Sequence, residues 1–177
     1  MADPLLGTLV VFVYVLTVAL APVLALAIVL LSRRRSTTVA LGSIVGAVAG
    51  IVTLGATVGA ALLSWQAGVV LFLAGQGALL GLCVVPLLVG RGIVRQATGV
   101  DRAAALRVAV TAWPLALAGG FALFIAPGGI TDGVTTSNIA TLSGLGAALA
   151  WGVWGLVTLF GPGLLGAMGV RLQRRLR

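Results

Sequence analysis

The chain of 177 residues contains no histidine, no lysine, a single cysteine and only three acidic residues, Asp3, Asp101 and Asp132. Each shortage removes a class of chemistry. Without histidine there is no Ser-His or Cys-His couple, no His-ligated haem and no His-containing zinc site. The three carboxylates lie far apart, so the clustered acids that hold Mg²⁺ in membrane phosphotransferases are missing, and no GxxxxGK phosphate loop occurs. Cys83 sits alone inside an apolar run, which excludes an intramolecular disulfide and makes it a small buried hydrophobe. The expectation is a non-enzymatic protein with no catalytic, cofactor-binding or metal-binding set.

Charge as a whole is also scarce. Only 8% of residues are charged and 60% are hydrophobic, with a mean hydropathy of +1.23, whereas soluble domains carry about 25% charged residues. A soluble chain of this size could not cover its surface with so few polar groups, so the composition implies a multi-pass membrane protein. The net charge of +8 comes from 11 arginines. Arginine without lysine, beside abundant Ala, Val, Gly and Leu, resembles the codon bias of a high-GC prokaryotic genome. Nucleic acid is not an expected partner.

What is present are long apolar runs between arginine clusters. A bilayer core needs about 20 apolar residues of helix, and five runs qualify: residues 5–31, 38–63, 67–89, 108–126 and 139–160. The second and third share 52 uncharged residues, Thr38 to Val89, which as one helix would be about 78 Å long. That stretch must fold back, and Ser64-Trp65-Gln66 is its polar interruption, with Trp65 of a type that favours the membrane interface. The first run is a span rather than a cleaved signal peptide, because no basic segment precedes it and it is far longer than an h-region. Pro22 bends it without breaking it.

The arginines fix the expected threading. Arg33, Arg34 and Arg35 follow the first span; Arg91, Arg95, Arg102 and Arg107 separate the third and fourth; Arg171, Arg174, Arg175 and Arg177 follow the fifth. With five spans all of them fall on one side, which the positive-inside rule makes cytoplasmic, with the N-terminus outside and the C-terminus inside a cell membrane. The clusters are expected to anchor topology and to meet anionic lipid. Asp101 is placed to cap the fourth helix. Gly161-Pro162-Gly163 is expected to break or kink the fifth, leaving residues 164–177 as a short amphipathic helix lying in the interface.

Small residues recur at helical spacing: Gly42, Gly46 and Gly50 in the second span, Gly144, Ala148, Gly152 and Gly155 in the fifth. Such stripes let helix backbones approach in lipid, and packing within a five-helix bundle is the first expectation for them, with a homo-oligomer or partner-subunit interface second. On this reading Gly46→Leu disturbs folding or assembly. No ionisable residue lies within a span, which argues against a proton relay or voltage sensor. Gln76 is the most polar intramembrane side chain and is expected to bond a Ser or Thr on a neighbouring helix. The fold expected is an all-α bundle of five transmembrane helices forming one domain. The function expected is interaction, as an accessory or assembly subunit or a lipid-contacting protein. The alternative is a small channel or facilitator for an uncharged or weakly polar solute. A solid bundle with an exposed glycine stripe would favour the first, and a water-accessible cavity reaching Gln76 the second.

Overall fold

The computed structural model describes residues 4–125 and 145–176, with side chains over residues 12–122 and 152–176. Among these residues there is no strand. The elements are α1 (Pro4–Leu31), α2 (Thr37–Leu62), α3 (Trp65–Ala78), a π-helical turn (Leu79–Val84), α4 (Val85–Thr98), α5 (Arg102–Ile125) and α6 (Leu145–Arg175). Since α3, the π turn and α4 form one rod, the described chain has five helices long and apolar enough to cross a membrane.

Short polar residues mark the helix starts. The Ser36 and Ser64 hydroxyls accept the Val39 and Ala67 N–H groups, so two serines cap α2 and α3. The second of these caps closes the hairpin expected at Ser64-Trp65-Gln66. Asp101 caps α5 as its position implied, its Oδ1 accepting the Ala104 N–H at 2.6 Å. Between α4 and α5 the chain reverses through Gly99 at φ 70°, a left-handed conformation that glycine adopts without steric penalty.

The π turn has a local cause. Pro86 has no N–H to offer the Leu82 carbonyl four residues earlier, and the ladder slips so that the Val85 N–H reaches back to Leu80. The freed Leu82 carbonyl accepts the indole N–H of Trp113 from α5 at 2.7 Å. A proline on one helix and a fully buried tryptophan on another thereby satisfy each other's polar groups.

Contacts between helices set their directions. Gly59 and Gly75 of the α2–α3 hairpin face Leu71 and Val52, so α3 runs antiparallel to α2. Gly161 lies over Ala116 and Gly166 over Val108, which makes α6 antiparallel to α5. Gly163 lies against Gly90, and the Arg171 guanidinium donates to the Ala97 carbonyl at 3.2 Å, so α6 runs alongside α4 in the same direction. The core gathers around α5, where Leu106, Val110, Trp113 and Leu117 meet Ile28 of α1 and Leu87 of α4, all essentially without solvent exposure. Cys83 is buried in the same cluster.

The helices run past the apolar runs 67–89 and 108–126: α4 continues to Thr98, and α5 starts at Arg102, directly after its expected cap Asp101; the arginines extend the helices beyond their apolar portions. The fifth helix does not break at Gly161-Pro162-Gly163 and releases no separate interfacial tail, because α6 continues through Pro162 to Arg175. The reason is packing. A Cβ on Gly163 would lie 2.8 Å from Ile93 Cβ and 2.9 Å from Gly90 Cα, so the two glycines let the helix press its proline-containing turn against α4 and α5. Helices in apolar surroundings tolerate proline when neighbours stabilise the altered turn.

Candidate functional site

Three features are candidates for function: the arginine end, the small-residue stripes and the polar groups between helices. The arginine end follows from the helix directions. Arg33, Arg34 and Arg35 lie in the α1–α2 turn, Arg91 and Arg95 on the last turns of α4, Arg102 and Arg107 on the first turns of α5, and Arg171, Arg174 and Arg175 at the end of α6. Antiparallel alternation brings these segments to one end of the bundle. Arg91 and Arg95 share a face of α4, as Arg171 and Arg175 do on α6, at one helical turn apart. Asp101, at the same end, is the sole described carboxylate side chain and serves as the α5 cap. Among the described residues this end therefore has a large excess of positive charge and no ion pair to neutralise it.

The stripes do not do what packing within the chain would require. A Cβ built on Gly42, Gly46 or Gly50 meets nothing within 4 Å, and the same holds for Gly152 and Gly155. At these five glycines no described neighbour stands where a side chain would project. Gly144 lies outside the described residues, and so does the side-chain environment of Ala148. The close approaches inside the chain use other small residues. A Cβ on Gly68 would collide with Ala60 Cβ, and one on Gly90 would lie 3.0 Å from the Gly163 nitrogen. Spacing could not separate the two sets, because both recur on helices that are apolar all round.

Gln76 is engaged rather than free. Its amide donates to the Ala49 carbonyl at 3.1 Å and to the Thr53 hydroxyl at 3.3 Å, and Thr53 in turn donates to Ala49 at 2.8 Å. The expected Thr partner is there, with a backbone carbonyl beside it. This three-centre link ties α3 to α2 where the hairpin has little else that is polar.

Sequence reasoning missed an aromatic cluster joining α1, α5 and α6. The Tyr14 hydroxyl donates to the Leu117 carbonyl at 3.4 Å, and its ring meets Trp154 edge-on with centroids 5.3 Å apart and Phe121 at 6.2 Å. Gly120 makes room for it, since a Cβ there would stand 3.0 Å from the Tyr14 hydroxyl and 3.4 Å from that of Thr158. The signal available was the chain's one tyrosine placed inside an apolar run, where a buried hydroxyl must find an acceptor. The Trp113 bond to Leu82 had a signal too, namely Pro86 four residues downstream.

Among the described residues these groups make packing contacts and hydrogen bonds between helices. Among the described residues no cluster of His, Cys, Asp and Glu could hold a metal ion. No protein-family model matches the chain, and no curated protein or solved structure does either. The features themselves are what any functional reading has to rest on.

Proposed function

We propose that the protein is inserted in a cell membrane as five spans, N-terminus outside and arginine end in the cytoplasm, and works as a non-enzymatic accessory or assembly subunit. Its α2 helix receives a helix of another membrane chain or of a second copy. The observation that carries this reading is the open glycine face: Gly42, Gly46 and Gly50 have empty space where a side chain would project, and lipid-embedded helices associate through such small-residue surfaces. Exposed Ile51, Leu54 and Val58 continue the apolar surface along the same helix. The engagement of Gln76 by α2 favours assembly over a solute path, since the amide that would line the path is spent on holding the hairpin together.

The test is purification of the intact protein in mild detergent, followed by mass measurement of what travels with it. Gly46→Leu is expected to abolish that association while the melting temperature stays that of the parent. An unchanged assembly in this variant would overturn the role of the face. Orientation is checked separately on a Cys83→Ala background, with single cysteines at Thr135 and Ala97 probed by a membrane-impermeant thiol reagent. The first is expected to label only from outside and the second only after the membrane is opened; the reverse pattern would overturn the threading.

A further inference from the structure

At the arginine end, α1, α2 and the turn between them border an open groove of about 580 Å³, lined by Ala27, Leu30, Leu31, Ile44, Arg33 and Arg34. We propose that this groove binds one anionic phospholipid, its phosphate held by Arg33 and Arg34 and one acyl chain lying along Ala27, Leu30, Leu31 and Ile44. The proposal rests on insertion of the chain in a membrane, but not on the glycine face of α2.

The two chemistries of the groove are segregated as they are in a lipid. Its walls are aliphatic from Ala27, one turn above the end of α1, to Ile44, roughly 10 Å along α2 from its start. Both arginines lie just beyond the last turn of α1, where an apolar helix gives way to polar chain and where headgroups meet hydrocarbon. A nucleotide or an acidic peptide would bring polar groups against these walls and leave them without hydrogen-bond partners. A phospholipid brings none below its glycerol backbone.

The arginines are held in place by the backbone and left free at their tips. The Ser32 N–H bonds the Ile28 carbonyl, Arg33 bonds Leu30, and Arg34 and Arg35 both bond Leu31, at 2.9 to 3.2 Å, while the Ser32 hydroxyl donates to Val29 at 2.7 Å. The turn is thus ordered before any ligand arrives. Neither the Arg33 nor the Arg34 guanidinium makes a hydrogen bond or ion pair among the described residues, in contrast to Arg171, which is anchored on Ala97. Guanidinium groups match phosphate oxygens in pairs, and two adjacent ones over an apolar slot are complementary to a phosphodiester with its chain below.

The experiment is native mass spectrometry of the full-length protein, titrated with phosphatidylglycerol or phosphatidylcholine at equal concentrations. The parent is expected to hold one phosphatidylglycerol tightly and phosphatidylcholine weakly. Arg33→Gln/Arg34→Gln should weaken that first adduct about thirtyfold, as expected for two basic groups near an anionic surface, whereas Arg174→Gln/Arg175→Gln, with the same loss of charge, should change it less than about threefold. Ile44→Trp keeps every charge and fills the slot, so it should also remove the tight adduct. Equal losses in the two arginine pairs, an unaffected Ile44→Trp, or full competition by inorganic phosphate would each overturn the proposal. The melting temperature of each variant separates ligand loss from unfolding, and Leu31→Phe provides a second filling variant if Ile44→Trp unfolds. Failure of membrane insertion would show instead as parent protein missing from the membrane fraction, and failure of the assembly reading as a Gly46→Leu variant that keeps its partners.

Discussion

The α2–α3 hairpin and the bundle around α5 are built from nearly the same residues and packed in opposite ways. In α5, 50% of the apolar window is buried, against 17% in α2 and 11% in the rod from Trp65 to Thr98. Both regions are rich in Gly, Ala, Val and Leu, so composition does not explain the difference. Both use glycines at close approaches, Gly59, Gly68 and Gly75 among them in the hairpin, but only α2 carries an open, evenly spaced series. In the bundle Gly90, Gly161, Gly163 and Gly166 each face a neighbouring helix at a distance a methyl group would violate, while in α2 the most regular glycine series faces nothing. Small residues permit close packing without dictating it, and large anchors such as Trp113, Leu106 and Leu117 decide where it happens.

The sharpest way to break this comparison is to fill a glycine in each region. Gly163→Leu is expected to destabilise by roughly 3 kcal/mol or more, because backbone and Ile93 occupy the space, and to abolish a monodisperse peak on size exclusion. Gly46→Leu should leave thermal stability within about 0.5 kcal/mol of the parent. Similar melting curves for the two variants would mean that the glycine faces are not distinguished as described.

Next in size is the link between the π turn and α5. Trp113→Phe keeps the aromatic bulk but strands the Leu82 carbonyl, at a cost of about 2 kcal/mol. In a Pro86→Ala background the helix can supply its own donor, so the same substitution should cost clearly less, and a thermal double-mutant cycle reads the difference. A Thr37→Val change is expected to raise stability by about 1 kcal/mol, since the Thr37 hydroxyl is buried with no hydrogen-bond partner among the described residues. The smallest expected effect belongs to the hairpin. Gln76→Leu should cost about 0.6 kcal/mol, the usual worth of a polar contact between lipid-embedded helices, and hydrogen exchange should quicken in α2 and α3 while α5 is unaffected.

The parts legible in the sequence are those where water or charge intervenes. Asp101 announced a helix start because unsatisfied N–H groups need acceptors, Ser64-Trp65-Gln66 announced a turn because it interrupts an apolar run, and the arginines announced one end of the bundle because they end apolar runs. Inside the runs that signal disappears. When the surroundings are as apolar as the core, Gly46 and Gly163 obey the same pattern rules, and periodicity cannot tell an outward face from an inward one. The break expected at Gly161-Pro162-Gly163 is absent for a related reason: two glycines beside a proline are a helix stop in water but here a close-packing patch against α4 and α5. Tyr14 was the one tyrosine, set in an apolar run, yet its partners Leu117 and Trp154 are distant in sequence and carry no mark of it.

The π turn at Leu79–Val84 adds one residue to a single continuous rod, and one residue corresponds to about 100° of rotation around a helix axis. The rod therefore serves two clients at two azimuths: α3 turns Gln76 toward α2, while α4 turns Leu87 and Gly90 toward α5 and α6. Deleting one residue from this turn would leave both halves helical but out of phase. The α2–α3 hairpin would then swing around the bundle, and the glycine face would point in a different direction. Pro86, itself fully buried, thus sets the compass bearing at which the open glycine face of α2 points.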